Sequence, residues 1–182
     1  MTRVFGHSVA DAALGADGIE IDVRRTVDDH LVVIRDDQVP ERIAVAEAMR
    51  HDLPWSVPDL EEVLDACEGL TVDIEIKNFP GDLGWDPAQR VTTLCLDVLD
   101  RRGRTDDVIV TCFHDGALAL ARARGFPTAL QVEAALVTEP AMRGHPIHAV
   151  AEEGFEELVR LGVDGIITDR VADAVRAVRS AG

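Results

Sequence analysis

Lysine is almost missing from this chain: among 182 residues there are 17 arginines and one lysine, Lys77. Basic charge as a whole is scarce, because 34 acidic residues leave a formal net charge of −16. That balance argues against unaided binding to nucleic acid or to an anionic membrane. It also means that a phosphate-bearing ligand needs a bound cation to offset the local negative field. Cysteine is sparse as well. Cys67, Cys95 and Cys112 are widely spaced, with no pairing motif and no metal-knuckle spacing, which fits a reduced, cytoplasmic setting. No apolar run reaches the length of a membrane span, and the N-terminus lacks a charged-then-apolar signal pattern.

What is present is 47% hydrophobic residues punctuated by turn signals, the composition of a globular fold, read as one domain over residues 1–182. The organising stretch is Ala16-Asp17-Gly18-Ile19-Glu20-Ile21-Asp22-Val23-Arg24. As a strand it puts Ile19, Ile21 and Val23 on one side and Glu20 and Asp22 on the other. Val72-Asp73-Ile74-Glu75-Ile76-Lys77-Asn78 repeats the pattern, with Glu75 and Lys77 sharing a face. Three carboxylates and one ammonium converging from two strands suit a hard divalent cation and an anionic substrate. Two amphipathic strands with one solvated face are the plainer alternative. A lone lysine where arginine is used everywhere else points to a geometric need that a planar guanidinium does not meet.

Taken in order, the chain reads as eight short strands, mostly separated by helices. Strands are expected near residues 3–6, 18–23, 31–36, 71–77, 108–113, 128–132, 147–150 and 165–169. Helices are expected over 58–67, 88–102, 114–124, 152–161 and 171–179, with a very short one over 8–14 closed by Gly15 and another over 44–50. Successive βα units imply a parallel sheet, and eight of them imply an α/β fold of the (β/α)8 TIM-barrel type, compact and incomplete in its first helix. An open doubly wound sheet is the structural alternative, but it gives two charged strand faces no use. In a barrel, Glu20, Asp22, Glu75, Lys77, His7 and Asp169 all fall near strand ends at the C-terminal mouth, where such barrels keep their active sites.

Several segments in register resemble the glycerophosphodiester phosphodiesterases: residues 14–23, 31–37, 57–64, 72–77, 108–113 and 161–170, the last reading Leu-Gly-Val-Asp-Gly-Ile-Ile-Thr-Asp-Arg. The resemblance runs over most of the chain from residue 14 onward. It implies a TIM barrel, a divalent cation (magnesium, calcium or manganese) and hydrolysis of small glycerol-linked phosphodiesters to glycerol phosphate and an alcohol. Carried over by position, Glu20, Asp22 and Glu75 are similar to the metal ligands, Lys77 to the cation that contacts phosphate, and His7 to the first catalytic histidine.

The departures are equally legible. His7 is followed by Ser8 and Val9, where the family has arginine and glycine. The next segment, with its Glu-Asn pair and most of the first helix, is missing. Arg35 stands where the second histidine belongs, and the tryptophan expected in strand seven is lost near His148. Arginine does not exchange protons near neutrality, though it can grip a phosphate oxygen. His30 and His114 are candidate substitutes for the lost histidine, while His145 and His148 read as structural or surface residues. A degenerate barrel that binds a metal and a phosphorylated ligand without catalysis is therefore the alternative function, and a metal-dependent barrel lyase a more distant one. The alcohol moiety, the metal and the oligomeric state are not legible.

Overall fold

In the computed structural model the strands are β1 (Arg3–Gly6), β2 (Gly18–Arg25), β3 (Leu31–Val33), β4 (Thr71–Ile76), β5 (Val108–Cys112), β6 (Thr128–Glu133), β7 (Ile147–Val150) and β8 (Gly165–Ile167). The helices are α1 (Leu60–Ala66), α2 (Arg90–Arg102), α3 (Asp115–Ala123), α4 (Phe155–Leu161) and α5 (Val171–Ala181). The structure describes residues 1–40, 42–103, 107–137 and 145–181. Seven strands pair in parallel around a ring, in the order β1-β2-β4-β5-β6-β7-β8, and β1 closes it by pairing with both β2 and β8.

The barrel expected from the sequence is therefore present, with one strand fewer in its wall. β3 runs antiparallel to the end of β2, Val23 opposite Val33 and Arg25 opposite Leu31. Chain length explains the difference. Only residues 26–30 separate β2 from β3, and a parallel return needs a crossover of about a dozen residues. A hairpin forms instead, with Thr26 Oγ1 accepting from the His30 amide at 3.0 Å.

Two helices expected from the sequence also take another form. Val9–Leu14 is a 3-10 segment ended by Gly15 in the left-handed region at φ 95°, because two turns of chain are too short for an independent α-helix. Residues 44–50 hold 3-10 turns over Val45–Glu47 and Arg50–Asp52. These turns fold Val45, Ala48 and Leu53 onto Val32, Val39 and Val57 in a small apolar cluster beside the barrel.

The main core lies between wall and helices. α2 presents Val91, Cys95, Leu96 and Leu99 to Ile74, Ile76 and Val110, the heptad-like spacing that an amphipathic helix requires. Gly103 stops it in the left-handed region at φ 64°, where its amide bonds back to carbonyls of the last turn. With the strands held in this register, alternate side chains of β2 and β4 point into the barrel, Glu20 opposite Asp73 and Asp22 opposite Glu75.

Candidate active site

Glu20, Asp22 and Glu75 meet at the C-terminal mouth. Each offers one carboxylate oxygen, and these atoms lie within 4.8 Å of one another. All three residues are buried, at 3%, 9% and 2% exposure. Lys77 Nζ lies 2.8 Å from Glu75 Oε1 and 3.3 Å from Asp22 Oδ1. One ammonium thus faces three carboxylates, and apart from that ion pair Glu75 Oε1 has no hydrogen-bond partner.

The electrostatics record the deficit of positive charge. Burial pushes the Glu20 carboxyl up to about 7, opposed by its hydrogen bond to His7. Burial likewise pushes Glu75 up to about 8, opposed by Lys77 and reinforced by Asp22 and Glu20. Burial would lower Lys77, but the Glu75 and Asp22 carboxylates outweigh it and hold the ammonium above its ordinary range. A cluster in which two acids resist ionisation this strongly is one that a divalent cation would relieve.

His7 Nδ1 lies 3.0 Å from Glu20 Oε2, and its Nε2 faces Asp169 Oδ1 at 3.8 Å. The hydrogen bond to Glu20 raises the His7 pKa above its ordinary value. Arg35 is exposed and lines the same cavity, of about 80 Å³, together with His7, Glu20, Asp22, Glu75 and Lys77. Its backbone is held in place. The buried Arg24 donates through Nε and Nη2 to the Arg35 carbonyl at 3.2 and 3.0 Å, and through Nη1 to both Asp82 oxygens at 2.8 and 2.9 Å. Arg24 thus ties the segment after β3 to the segment after β4. The six residues named from the sequence are brought together at one mouth.

The two substitute histidines are elsewhere. His30 is exposed beside Asp28 at 3.3 Å, and His114 accepts the Gly116 amide at its Nδ1 while packing edge-on against Trp85. Neither lines the mouth cavity. A larger cavity of about 740 Å³ opens at the opposite end of the barrel, lined by Thr2, Val4, Val163, Val175 and Val178 among others. Size does not make it the reactive site, because the metal-suited carboxylates converge in the smaller one.

Two sets of residues escaped the sequence reading. Below the mouth, Asp73 is fully buried, with Thr111 Oγ1 donating to its Oδ1 at 2.7 Å and His148 Nδ1 at 2.5 Å from its Oδ2. His148 stacks on Phe5 at 5.1 Å and occupies the space above Gly165, where an added Cβ would lie 2.7 Å from the imidazole. Asp73 is two residues before Glu75, so the same alternation that singled out Glu75 and Lys77 also points Asp73 inward. The other set, Phe113, Gln131 and Glu133, lines the far wall of the mouth. Gln131 and Glu133 share a face of β6, but no motif marks them.

The family model of the glycerophosphoryl diester phosphodiesterases matches residues 7–156. The chain belongs to this family, a family of phosphoric diester hydrolases. A glycerophosphodiester phosphodiesterase from Bacillus altitudinis is 27% identical over 248 aligned positions, covering 97% of this chain and 98% of the relative. Since that span exceeds the 182 residues here, the relative carries segments that this chain lacks, in keeping with its reduced first helix. Among solved structures, a glycerophosphodiester phosphodiesterase from Parabacteroides distasonis superposes with a TM-score of 0.75 at 16% identity, covering 99% of this chain and 98% of the other. A phosphodiesterase from Oleispira antarctica, solved with the product sn-glycerol-3-phosphate, gives a TM-score of 0.71 at 16% identity, with 98% and 97% covered. These two share the TIM-barrel fold.

Proposed function

We propose that this chain hydrolyses glycerophosphodiesters to glycerol phosphate and an alcohol, at the mouth formed by Glu20, Asp22, Glu75, Lys77, His7 and Arg35, and that residues 1–182 act as one domain. The observation that carries the reading is the convergence of three buried carboxylates within 4.8 Å beside the only lysine. Family membership sets the reaction class; the roles below rest on geometry and charge.

The donor set is all oxygen, as magnesium, calcium and manganese prefer, and the three carboxylates offer oxygens within 4.8 Å of one another. Glu20, Asp22 and Glu75 would hold the cation, which supplies Lewis-acid polarisation of a phosphoryl oxygen. Lys77, anchored between Asp22 and Glu75, would neutralise charge that builds on the phosphoryl oxygens as the transition state forms. Arg35 would grip another phosphate oxygen; a guanidinium fork suits that contact and does not shuttle a proton. His7 is the mouth's histidine. Its Nδ1 is engaged by Glu20, so Nε2 is the nitrogen that would take or give a proton. The three buried cysteines take no part, and their sparse, widely spaced pattern suits a reduced, cytoplasmic setting. Among the described residues no helix is long and apolar enough to cross a membrane.

The direct test is release of sn-glycerol 3-phosphate from simple glycerophosphodiesters, with and without added magnesium, calcium or manganese. Turnover that needs one of these ions is expected, together with a rise in melting temperature on adding it, because a ligand bound only by the folded state stabilises that state. Metal and glycerol phosphate raising the melting temperature without any turnover would favour the non-catalytic barrel instead.

A further inference from the structure

The two sides of the mouth differ in charge. Lys77 and Arg35 lie on the side of β2 and β4, whereas the wall made by β6 and β8 carries acids that the reaction above does not use. Glu133 ends β6 and lines the cavity, and Asp169 follows β8 with its carboxylate 3.8 Å from His7 Nε2. Glu152, beyond β7, orders that rim, accepting from the Asp169 amide at 3.2 Å and the Thr168 hydroxyl at 3.4 Å. The nearby cation, Arg170, donates to Asp173 at 2.9 Å and to the Glu152 carbonyl at 2.9 Å, so it is already engaged.

Acids on a rim are ordinary by themselves. Gln131 changes their meaning. It is 2% exposed, lines the same cavity two residues before Glu133, and its Oε1 has no hydrogen-bond partner among the described residues. A buried amide oxygen without a donor is costly to the fold unless something else satisfies it. Here that acceptor lies beside a carboxylate, with Phe113 adjoining in the same lining. This wall therefore offers acceptors and negative charge and little aromatic surface.

We propose that the β6–β8 side of the mouth is a subsite for a primary ammonium group on the alcohol of the diester, with Gln131 Oε1 and Glu133 as acceptors and Asp169 adding charge. The proposal rests on the hydrolase reading of the same mouth and names its substrate class: glycerophosphodiesters of short amino alcohols, such as 2-aminoethanol. A primary ammonium carries three N–H donors that match these acceptors. A trimethylated ammonium carries none, and it is recognised instead by aromatic cages, which this wall lacks. An uncharged polyol alcohol can donate hydroxyl hydrogen bonds to these acceptors but brings no positive charge for the rim acids to attract.

The test compares kcat/KM for glycerophosphoethanolamine, glycerophosphocholine and glycerophosphoglycerol, in the parent and in Glu133→Gln and Gln131→Met. The parent should prefer the ethanolamine diester over both others by about five- to tenfold, the scale expected of contacts partly open to water. Each variant should bring these ratios toward one. Glu133 is exposed and Gln131 Oε1 holds no bond in the fold, so neither change should impair folding. Equal parental rates on the three diesters, or choline used as well as ethanolamine, would overturn the subsite and leave the hydrolase reading intact. If no diester is turned over, the hydrolase reading fails. The subsite is then judged by melting temperature with intact diesters and manganese. Greater stabilisation by the ethanolamine diester supports it, and equal stabilisation, including none, overturns it.

Discussion

Two groups of buried acids lie inside this barrel, Asp73 in the lower and Glu20, Asp22 and Glu75 in the upper; although Asp73 and Glu20 are register partners, the two groups are built on different principles. In the lower layer both oxygens of the enclosed Asp73 carboxylate are bonded, one by Thr111 and one by His148, although His148 Nε2 has no hydrogen-bond partner among the described residues. In the upper layer Glu20, Asp22 and Glu75 share one lysine and one histidine, and apart from its ion pair with Lys77 Glu75 Oε1 has no hydrogen-bond partner among the described residues. Both layers are buried, so burial alone does not mark the site. Crowding of like charge does. A buried charge that the fold neutralises serves the fold, while acids in excess of the fold's own counter-charge are poised for a cation that the fold does not contain.

The sharpest way to break this contrast is to remove one charge from each layer. Glu75→Gln should cut metal-dependent turnover about 10³-fold, the loss expected when the positioning of a cation worth several kcal/mol is disturbed. The same change should leave the metal-free protein at least as stable as the parent at pH 8, because one of three crowded acids becomes neutral. Turnover within tenfold of the parent, measured as glycerol phosphate released under saturating manganese, would take Glu75 out of the proposed ligand set.

Next in size is Arg35. A missing general acid typically costs about 10²–10⁴-fold, and Arg35 cannot supply the proton. Alkyl diesters should therefore be slow and p-nitrophenyl phosphodiesters, whose leaving group needs no proton, much less impaired. Arg35→His should speed alkyl diester hydrolysis about 10²-fold while raising KM. Slower alkyl turnover in that variant would show that another residue donates the proton.

Much of this was legible before any coordinates. The i, i+2 acids of β2, and Glu75 with the lone lysine two residues on in β4, mark the mouth, because strand alternation converts spacing into direction with no tertiary knowledge. The ring of βα units was legible for the same reason. The antiparallel β3 was not, since its composition is that of a barrel strand; the length of the connection before it decides its direction. Gln131 and Glu133 were invisible because β6 carries no pattern, and only the register that sets Gln131 beside His148 brings them to the cavity wall. Asp73 has the same parity as Glu75, but alternation alone does not separate an inward acid that the fold bonds from one at the mouth.

A third prediction bears on the lower layer. Asp73→Ala removes one partner of a buried polar cluster and leaves His148 and Thr111 without theirs, which typically costs about 3–5 kcal/mol. Urea denaturation should show that loss with and without metal, in contrast to Glu75→Gln. A destabilisation below about 1 kcal/mol would mean that the lower layer is not the structural element described here.

The smallest expected effect is the pH dependence of the metal-free protein, and its sign follows from the raised acids. Glu20 and Glu75 hold their protons up to about 7 and about 8 when folded, against an ordinary value of 4.5. The folded state thus binds more protons than the unfolded one between those limits, so stability is greatest near the lower limit and falls as pH rises through the upper. His7 acts in the same direction, since its pKa is also raised and its contribution is lost as pH climbs through that value. The acids whose pKa values are lowered, Asp28, Asp29, Asp115 and Glu157, change stability mainly below about pH 5 and leave the window clear. Because the crowded acids share protons, the total should be on the order of 2 kcal/mol between pH 5 and 8. Saturating metal should flatten the slope, since the ion takes over from the proton as the neutralising charge. A Glu20→Gln, Glu75→Gln double variant should flatten it too, without metal. Metal-free stability that rises from pH 5 to 8 in the parent would show that the mouth acids are already ionised at no cost, and the contrast between the two layers would then be one of geometry alone.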